Sequence, residues 1–425
     1  MNVAIACGVL LACFAINLPV FIGVLTAILS YFFMAADASP MIAVQRVIGA
    51  GENITLLAIP FFVMLGHLLN HTGITRRMLH LAEVLMGHFS GGLAHANVLL
   101  STMMGGMSAS NLADCAMLTK MLVPEMERLG YNKAYSAAVT AAGSLITPII
   151  PPGIALIIYG YVADVSIGKM FMAGVIPGIL CCLALMVSIV IVAKKRNYKP
   201  VRTHAPTIAE VWLAFKECFW GLLLVIVIIG GIRLGVFTPS EAGAVAVVYA
   251  IIVGLFVYKE MKFSDIKVAL LETARSTAGI MLIIMACSAF AWLLTWEQVA
   301  QGVAVALTTF SKNPWVFLLM LNILLLILGM FIEGNAAIIV LVPLLMPTVR
   351  ELGIDQIQFG IIIILNLAIG CLTPPMGTVM FISTQITGIS VREFVKEMWP
   401  SFWALIITLA LVTIFPSIST FLPNY

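Results

Sequence analysis

Charge is what this sequence has least of. Its 425 residues include 22 Lys/Arg and 19 Asp/Glu, so 10% are charged and 62% are hydrophobic. A soluble domain carries about 25% charged residues, and a soluble chain of this length would present two or three such surfaces. The deficit excludes a soluble enzyme and a disordered chain. A net charge of +3 excludes a nucleic-acid partner, which needs a concentrated basic surface. Reactive groups are also sparse. The eight cysteines (Cys7, Cys13, Cys115, Cys181, Cys182, Cys218, Cys287 and Cys371) lie mostly in apolar runs. Apart from the adjacent Cys181-Cys182 none are spaced for a metal or a redox pair, and all eight read as small buried apolar residues. His67, His88 and His95 have no carboxylate or Cys at metal-ligand spacing and read as packing or interfacial residues. There is no nucleophile motif, phosphate loop or H-E-x-x-H. No catalytic residue and no cofactor is assigned. The N-terminus lacks the basic region and small-residue cleavage site of a signal peptide, so residues 2–16 are expected to stay as a membrane segment.

What the sequence has is long apolar runs, with a mean hydropathy of +1.12. In lipid only helices or closed barrels satisfy the backbone, and the alternating strands of a barrel are missing. The fold class is therefore an all-α polytopic membrane protein. Apolar segments lie at 2–16, 18–35, 54–70, 134–160, 171–193, 218–236, 240–258, 276–296, 359–385 and 399–420. Two further stretches, about 88–123 and 315–349, are interrupted by small and polar residues and read as re-entrant helical hairpins. That leaves ten crossings. Lys/Arg bias sets orientation. Seventeen basic residues fall on one side, among them Arg76, Arg77, Lys194, Lys195 and Arg196. Five (Arg46, Lys169, Arg233, Lys312 and Arg350) fall on the other. The first side is then cytoplasmic, and both termini face the periplasm.

An offset of 223 residues aligns 106–177 with 329–400 without gaps. Six of the identities are backbone-breaking residues: Gly106/Gly329, Pro124/Pro347, Gly130/Gly353, Pro151/Pro374, Pro152/Pro375 and Pro177/Pro400. The first repeat is 1–193, the second is 218–425, and a basic linker, 194–217, joins them. Each holds five crossings and a hairpin. Five is odd, so the second copy is inverted. Inverted repeats with broken helices are the architecture of secondary transporters, whose substrate sits near the midplane at the repeat interface.

Four irregular stretches are candidates for chemistry. The hairpin tips read Gly105-Gly106-Met107-Ser108-Ala109-Ser110-Asn111 and Gly329-Met330-Phe331-Ile332-Glu333-Gly334-Asn335. The broken helices read 143–153, with Ser144, Thr147, Pro151, Pro152 and Gly153, and 366–378, with Asn366, Thr373, Pro374, Pro375 and Thr378. Proline removes an N–H and frees the carbonyl four residues back. Freed carbonyls at membrane depth suit a dehydrated cation, and hard cations take oxygen ligands. Side-chain oxygens could come from Ser108, Ser110, Asn111, Thr147, Asn335, Thr373 and Thr378. Helix N-termini after the breaks could hold a carboxylate. A hydroxyl bonded to its own helix is the plain alternative for each Ser or Thr. Charges at membrane depth are functional candidates by default, here Asp114 and Glu333. Glu241, after Thr238-Pro239-Ser240, is either a helix cap or a coupling residue.

These stretches resemble the large membrane subunit of tripartite ATP-independent periplasmic (TRAP) transporters. The matching runs are LLAIPFFVMLGHLL (56–69), GGLAHANVLLSTMMGGMSASNLADCAML (91–118), ITPIIPPGIALIIYG (146–160), FTPSEAGAVAVVYA (237–250) and CLTPPMGTVMF (371–381). The likeness covers nearly the whole chain and looks closest to the sialic-acid branch, with C4-dicarboxylates the other main candidate. It implies an elevator-type Na⁺-coupled importer of an organic acid, with a moving transport domain and a fixed scaffold, in the bacterial inner membrane. It implies two partners, a small four-helix membrane subunit and a soluble periplasmic binding protein. By match to the family motif, Ser108, Ser110, Asn111, Pro151, Pro152 and Gly153 would frame one Na⁺ site. Glu333, Gly334, Asn335, Thr373, Pro374 and Pro375 would frame the other. Ser144, Thr147, Asp114, Asn366, Thr378 and Glu241 are the candidates for substrate contact or coupling. Gly153 and Met376 depart from the small polar residues that many members carry after the Pro pairs. The rival readings are a stand-alone symporter of the same wider fold, an intramembrane enzyme and a passive channel.

Overall fold

A computed structural model describes residues 2–16, 18–34, 39–108, 110–202, 204–299, 301–302, 305 and 313–424. Among these the chain is helical, with no strand. Eight of the described helices have the length and apolarity to cross a membrane. Lys312 of the orientation count and Ala109 of the first tip lie outside the described residues.

The chain begins with α1 (Asn2–Ala15), α2 (Val20–Met34), α3 (Pro40–Gly51), α4 (Ala58–Thr72) and α5 (Ile74–Met86). Two of these, α3 and α5, were not expected as segments. In α5 the residues Ile74, Met78, Leu81 and Ala82 are buried while Arg76 faces out. A short amphipathic helix of this kind is invisible to a search for continuous apolar runs. The first hairpin is α6 (Gly92–Gly105) and α7 (Asn111–Arg128). The segment expected at 134–160 is two short helices, α8 (Lys133–Ser144) and α9 (Ile154–Ala163), followed by the long α10 (Ile167–Arg196).

The second half starts with α11 (Ile208–Arg233), α12 (Pro239–Ile252) and α13 (Phe263–Trp296). The hairpin is α14 (Pro314–Gly329) and α15 (Gly334–Glu351), and the broken pair is α16 (Gln356–Gly370) and α17 (Thr378–Thr387). Then come α18 (Val391–Ile414) and a short α19 (Ser417–Asn424). The offset of 223 carries α7 onto α15 end for end.

Two boundaries differ from the apolar runs. Much of the expected linker is helical: α10 reaches Arg196 and α11 starts at Ile208. Thr207 and Glu210 make a reciprocal capping box there, which nucleates a helix in polar sequence. Likewise α13 starts at Phe263, well before the apolar run at 276. Its 34 residues span about 51 Å at 1.5 Å per residue, longer than the roughly 30 Å hydrocarbon core, so its polar end stands beyond it.

Lipid tails supply no hydrophobic drive between helices, so close packing of small residues does the work. In α12 the residues Ala242, Ala246 and Ala250 form a buried stripe at four-residue spacing on the helix that packs against α4. In α8 the residues Ala137, Ala138, Ala141, Ala142 and Gly143 are all buried, which lets α6, α7 and α18 close around it. The contacts gather the helices into two groups, which meet where α6 packs on α5 and α15 on α13. One is α1–α5 with α11–α13, through the pairs α4–α12, α3–α13, α4–α13 and α5–α11. The other holds the hairpins and broken helices. Within it each hairpin packs on the broken helix of the other half, α7 on α17 and α15 on α9. That crossing brings the two tips to one place.

Candidate functional site

The two tips are built alike with different side chains. Ser110 ends the first tip and caps α7, its hydroxyl accepting from the Ala113 N–H at 3.3 Å. At the matched position Glu333 caps α15. One of its oxygens accepts from the Ala336 N–H at 3.0 Å and the other from Asn335 Nδ2 at 2.9 Å. Each cap satisfies part of its helix's first turn from within the chain.

The breaks are built differently. Gly153 precedes α9 and Gly377 precedes α17, and neither helix has a side-chain cap. A Cβ on Gly153 would collide with the Pro148 carbonyl, so the turn closes only without a side chain. The peptide bonds Pro151-Pro152 and Pro374-Pro375 are both cis. At α17 the Val379 and Met380 N–H groups donate instead to the Cys371 carbonyl, at 3.1 and 3.4 Å, so of the two breaks it is α9 that starts with neither a side-chain cap nor such a backbone acceptor, and that end carries a partial positive charge.

These ends meet in a cleft enclosing roughly 660 Å³ including its open mouth, lined by Ser110, Asn111, Glu333, Gly334, Asn335 and Thr378 among others. Ile154 and Ala155, the first turn of α9, also line it. A second cleft of roughly 580 Å³ shares Ser110, Ile154 and Ile280 with the first. It adds Ser108 and Asp114 from the first hairpin and His67, Asn70 and Ser276 from α4 and α13. Asp114 is 2% exposed. Its carboxyl accepts from Thr147 Oγ1 at 2.7 Å and from the Ser108 hydroxyl. A buried carboxyl that bonds the tip to the break ties two irregular segments into one unit. Neither cleft is lined by Lys or Arg. No group of three His, Cys, Asp or Glu among the described residues could hold a metal. Any cation here would meet hydroxyl, carboxyl and carbonyl oxygens, the donor set of a hard ion.

The other candidates are placed as follows. Asn366 donates to Asn322 Oδ1 at 2.6 Å and to the Ile362 carbonyl at 2.9 Å, and Asn322 donates to Thr413 Oγ1 at 3.2 Å. Asn366 Oδ1 is buried without a hydrogen-bond partner. Ser144 and Thr373 donate back to their own helices, to Ala141 O and Gly370 O, both at 2.8 Å. Pro151, Pro152, Pro374 and Pro375 shape the breaks without lining either cleft. Glu241 is not brought to the clefts. It is exposed and closes a capping box with Thr238 at the start of α12.

Sequence reasoning passed over the residues that α4 and α13 contribute. His67 Nδ1 lies 3.1 Å from Glu272 Oε2, and His67 Nε2 lies 3.4 Å from Ser276 Oγ. Local spacing cannot reveal partners 209 positions apart. The available signal was the period of Val63, Gly66, His67 and Asn70, one face of a helix.

The sialic acid TRAP transporter large permease protein SiaM of Vibrio cholerae is 40% identical over 408 residues, covering 96% of this chain and 95% of that one. The C4-dicarboxylate TRAP transporter large permease protein DctM of Pseudomonas aeruginosa is 38% identical, covering 94% and 93%. Among solved structures, the Alcanivorax borkumensis YdaH transporter superposes with a TM-score of 0.61 over 87% of each chain at 14% identity, a likeness of fold. These relatives are permeases, not enzymes. The model of the tripartite ATP-independent periplasmic transporter DctM component matches residues 7–418, and the chain belongs to that family as its large membrane permease.

Proposed function

We propose that this permease imports an organic acid with Na⁺ as coupling ion. The observation that carries this reading is the cleft between the hairpin tips, where the N-terminus of α9, without a side-chain cap, meets oxygen-rich tips and no basic side chain. A carboxylate there is held by backbone N–H groups and helix dipoles. Na⁺ supplies the countercharge. Ser108, Ser110, Asn111 and the break through Pro151, Pro152 and Gly153 hold one ion. Glu333, Gly334, Asn335 and the break through Thr373, Pro374 and Pro375 hold the other. Ions at the tips close the hairpins over the substrate, and this ties acid binding to Na⁺. Sialic acid is the favoured substrate and a C4-dicarboxylate the alternative.

The transport step is a rigid movement of the hairpin group, α6–α10 with α14–α19, against the remaining helices. Support comes from the seam between them. Met103 and Gly106 of the first hairpin, with Val175 of α10, face Leu222 and Val225 of α11 across an apolar crevice of roughly 990 Å³. The crevice itself is apolar, and polar contacts between the groups are few, Thr75 Oγ1 to Met104 Sδ at 3.6 Å and Tyr161 to Ser288 among them; such a seam can slide. In this reading the two halves are inverted repeats, both termini are periplasmic, and the protein works in the inner membrane. It acts with a small membrane subunit and a periplasmic binding protein that delivers the acid.

Replacing Ser108 and Ser110 together by Ala tests the first ion site. Na⁺-dependent uptake should fall at least tenfold at limiting Na⁺ while expression is retained. An unchanged Na⁺ dependence removes that tip from the ion path.

A further inference from the structure

The wall that α4 and α13 give the second cleft has no assigned role, and it is polar in a specific way. On α4 the residues Val63, Gly66, His67 and Asn70 line it, and their spacing puts them on one helix face. On α13 the residues Ser276 and Ile280 line it, one turn apart, with Glu272 a further turn back. His67 is braced by Glu272 at 3.1 Å and by Ser276 at 3.4 Å, which fixes the ring and the hydroxyl as one patch. Asn70 is exposed beside them. This wall meets the tip cleft directly, because Ser110, Ile154 and Ile280 line both spaces.

We infer that His67, Asn70 and Ser276 form a specificity wall on the fixed helices that reads an uncharged, hydroxyl-bearing body of the transported acid. The inference rests on the reading that the carboxylate sits between the tips, and it names the substrate class. Asn and Ser side chains donate and accept, as does a neutral imidazole, which matches hydroxyl and amide groups. A short dicarboxylate would place its second charge against this wall. No Lys or Arg lines the cleft to receive it, and Glu272 and Asp114 would repel it. An acid with a polar uncharged body leaves no buried charge unpaired and fills both spaces. Sites built to hydrogen-bond a hydroxyl reject analogues that lack it.

The test is equilibrium binding to the purified full-length permease together with its small membrane subunit, with and without Na⁺. The probes are N-acetylneuraminate and D-galacturonate as hydroxylated acids, and succinate as the short dicarboxylate. The expected result is Na⁺-dependent binding of a hydroxylated acid at least tenfold tighter than succinate. Asn70→Ala and Ser276→Ala should each weaken the hydroxylated acid about three- to tenfold, as loss of one hydrogen bond does, and leave succinate unchanged. Asn70→Ala lies on an exposed position, so it tests the wall without a folding defect, and His67→Gln gives a second variant. Tighter succinate binding, or variants that shift neither or both probes equally, would overturn the wall assignment. Failure of every acid to bind in a Na⁺-dependent way would instead remove the carboxylate-importer reading, and the wall assignment with it.

Discussion

Asp114 sits in the protein with two hydroxyl donors and almost no exposure. Removing one donor by Thr147→Val leaves a buried acceptor short of a partner, a loss of about 1–3 kcal/mol. Transport should fall several-fold and Thr147→Ser should restore it. An uptake assay on both variants checks this, and normal transport in Thr147→Val would show that the bond is dispensable. Gly153→Ala forces a Cβ into the Pro148 carbonyl, and overpacking of this kind costs about 1–3 kcal/mol. A thermal melt in detergent should show the drop. At this scale the sequence was legible where chemistry repeats: the offset that pairs Ser110 with Glu333 pairs two helix caps. It was not legible for His67, whose partners are on a helix far along the chain. It was also ambiguous for Glu241, since capping and coupling residues look the same until the helix start is seen.

Among elements, the broken helices and hairpins were the most readable, because Gly and Pro mark where a helix stops whatever surrounds it. Helix α5 was the least readable. Its polar face is held through tertiary contacts to the loop between α12 and α13, where Arg76 and Arg77 reach Glu260 at 2.9 and 2.7 Å. Arg77 also lies over the Tyr258 ring at 3.8 Å. Partial burial pushes the Glu260 carboxyl up, but Arg77 and then Arg76 outweigh it and hold it below its ordinary value. The sign follows from linkage: a depressed carboxyl stabilises the fold above its unfolded pKa, roughly 4.3. That stability fades as pH falls through the lower folded value. Arg76 is 75% exposed, so solvent screening keeps its pair at about 0.2–1 kcal/mol. Glu260→Gln should lower Tm at pH 7, with the difference from wild type shrinking in acid. An equal loss at both pH values would assign the effect to packing instead.

For the whole molecule, composition alone excluded a soluble fold, and the period of broken helices pointed to paired halves. How the halves interleave depended on contacts between segments hundreds of residues apart, α7 on α17 and α15 on α9. A sliding seam makes its own prediction. A Cβ at Gly106 would lie 3.2 Å from the Val225 methyl groups, so Gly106→Cys with Val225→Cys lies within bridging reach. Oxidation of that pair should stop uptake and reduction should restore it. Transport at full rate through a cross-linked seam would exclude the sliding movement. The most direct test of the central claim is radiolabelled N-acetylneuraminate uptake into proteoliposomes holding this permease and its small membrane subunit, with the binding protein outside. Accumulation should need an inward Na⁺ gradient and vanish when K⁺ replaces Na⁺. Equal accumulation in K⁺ would contradict it.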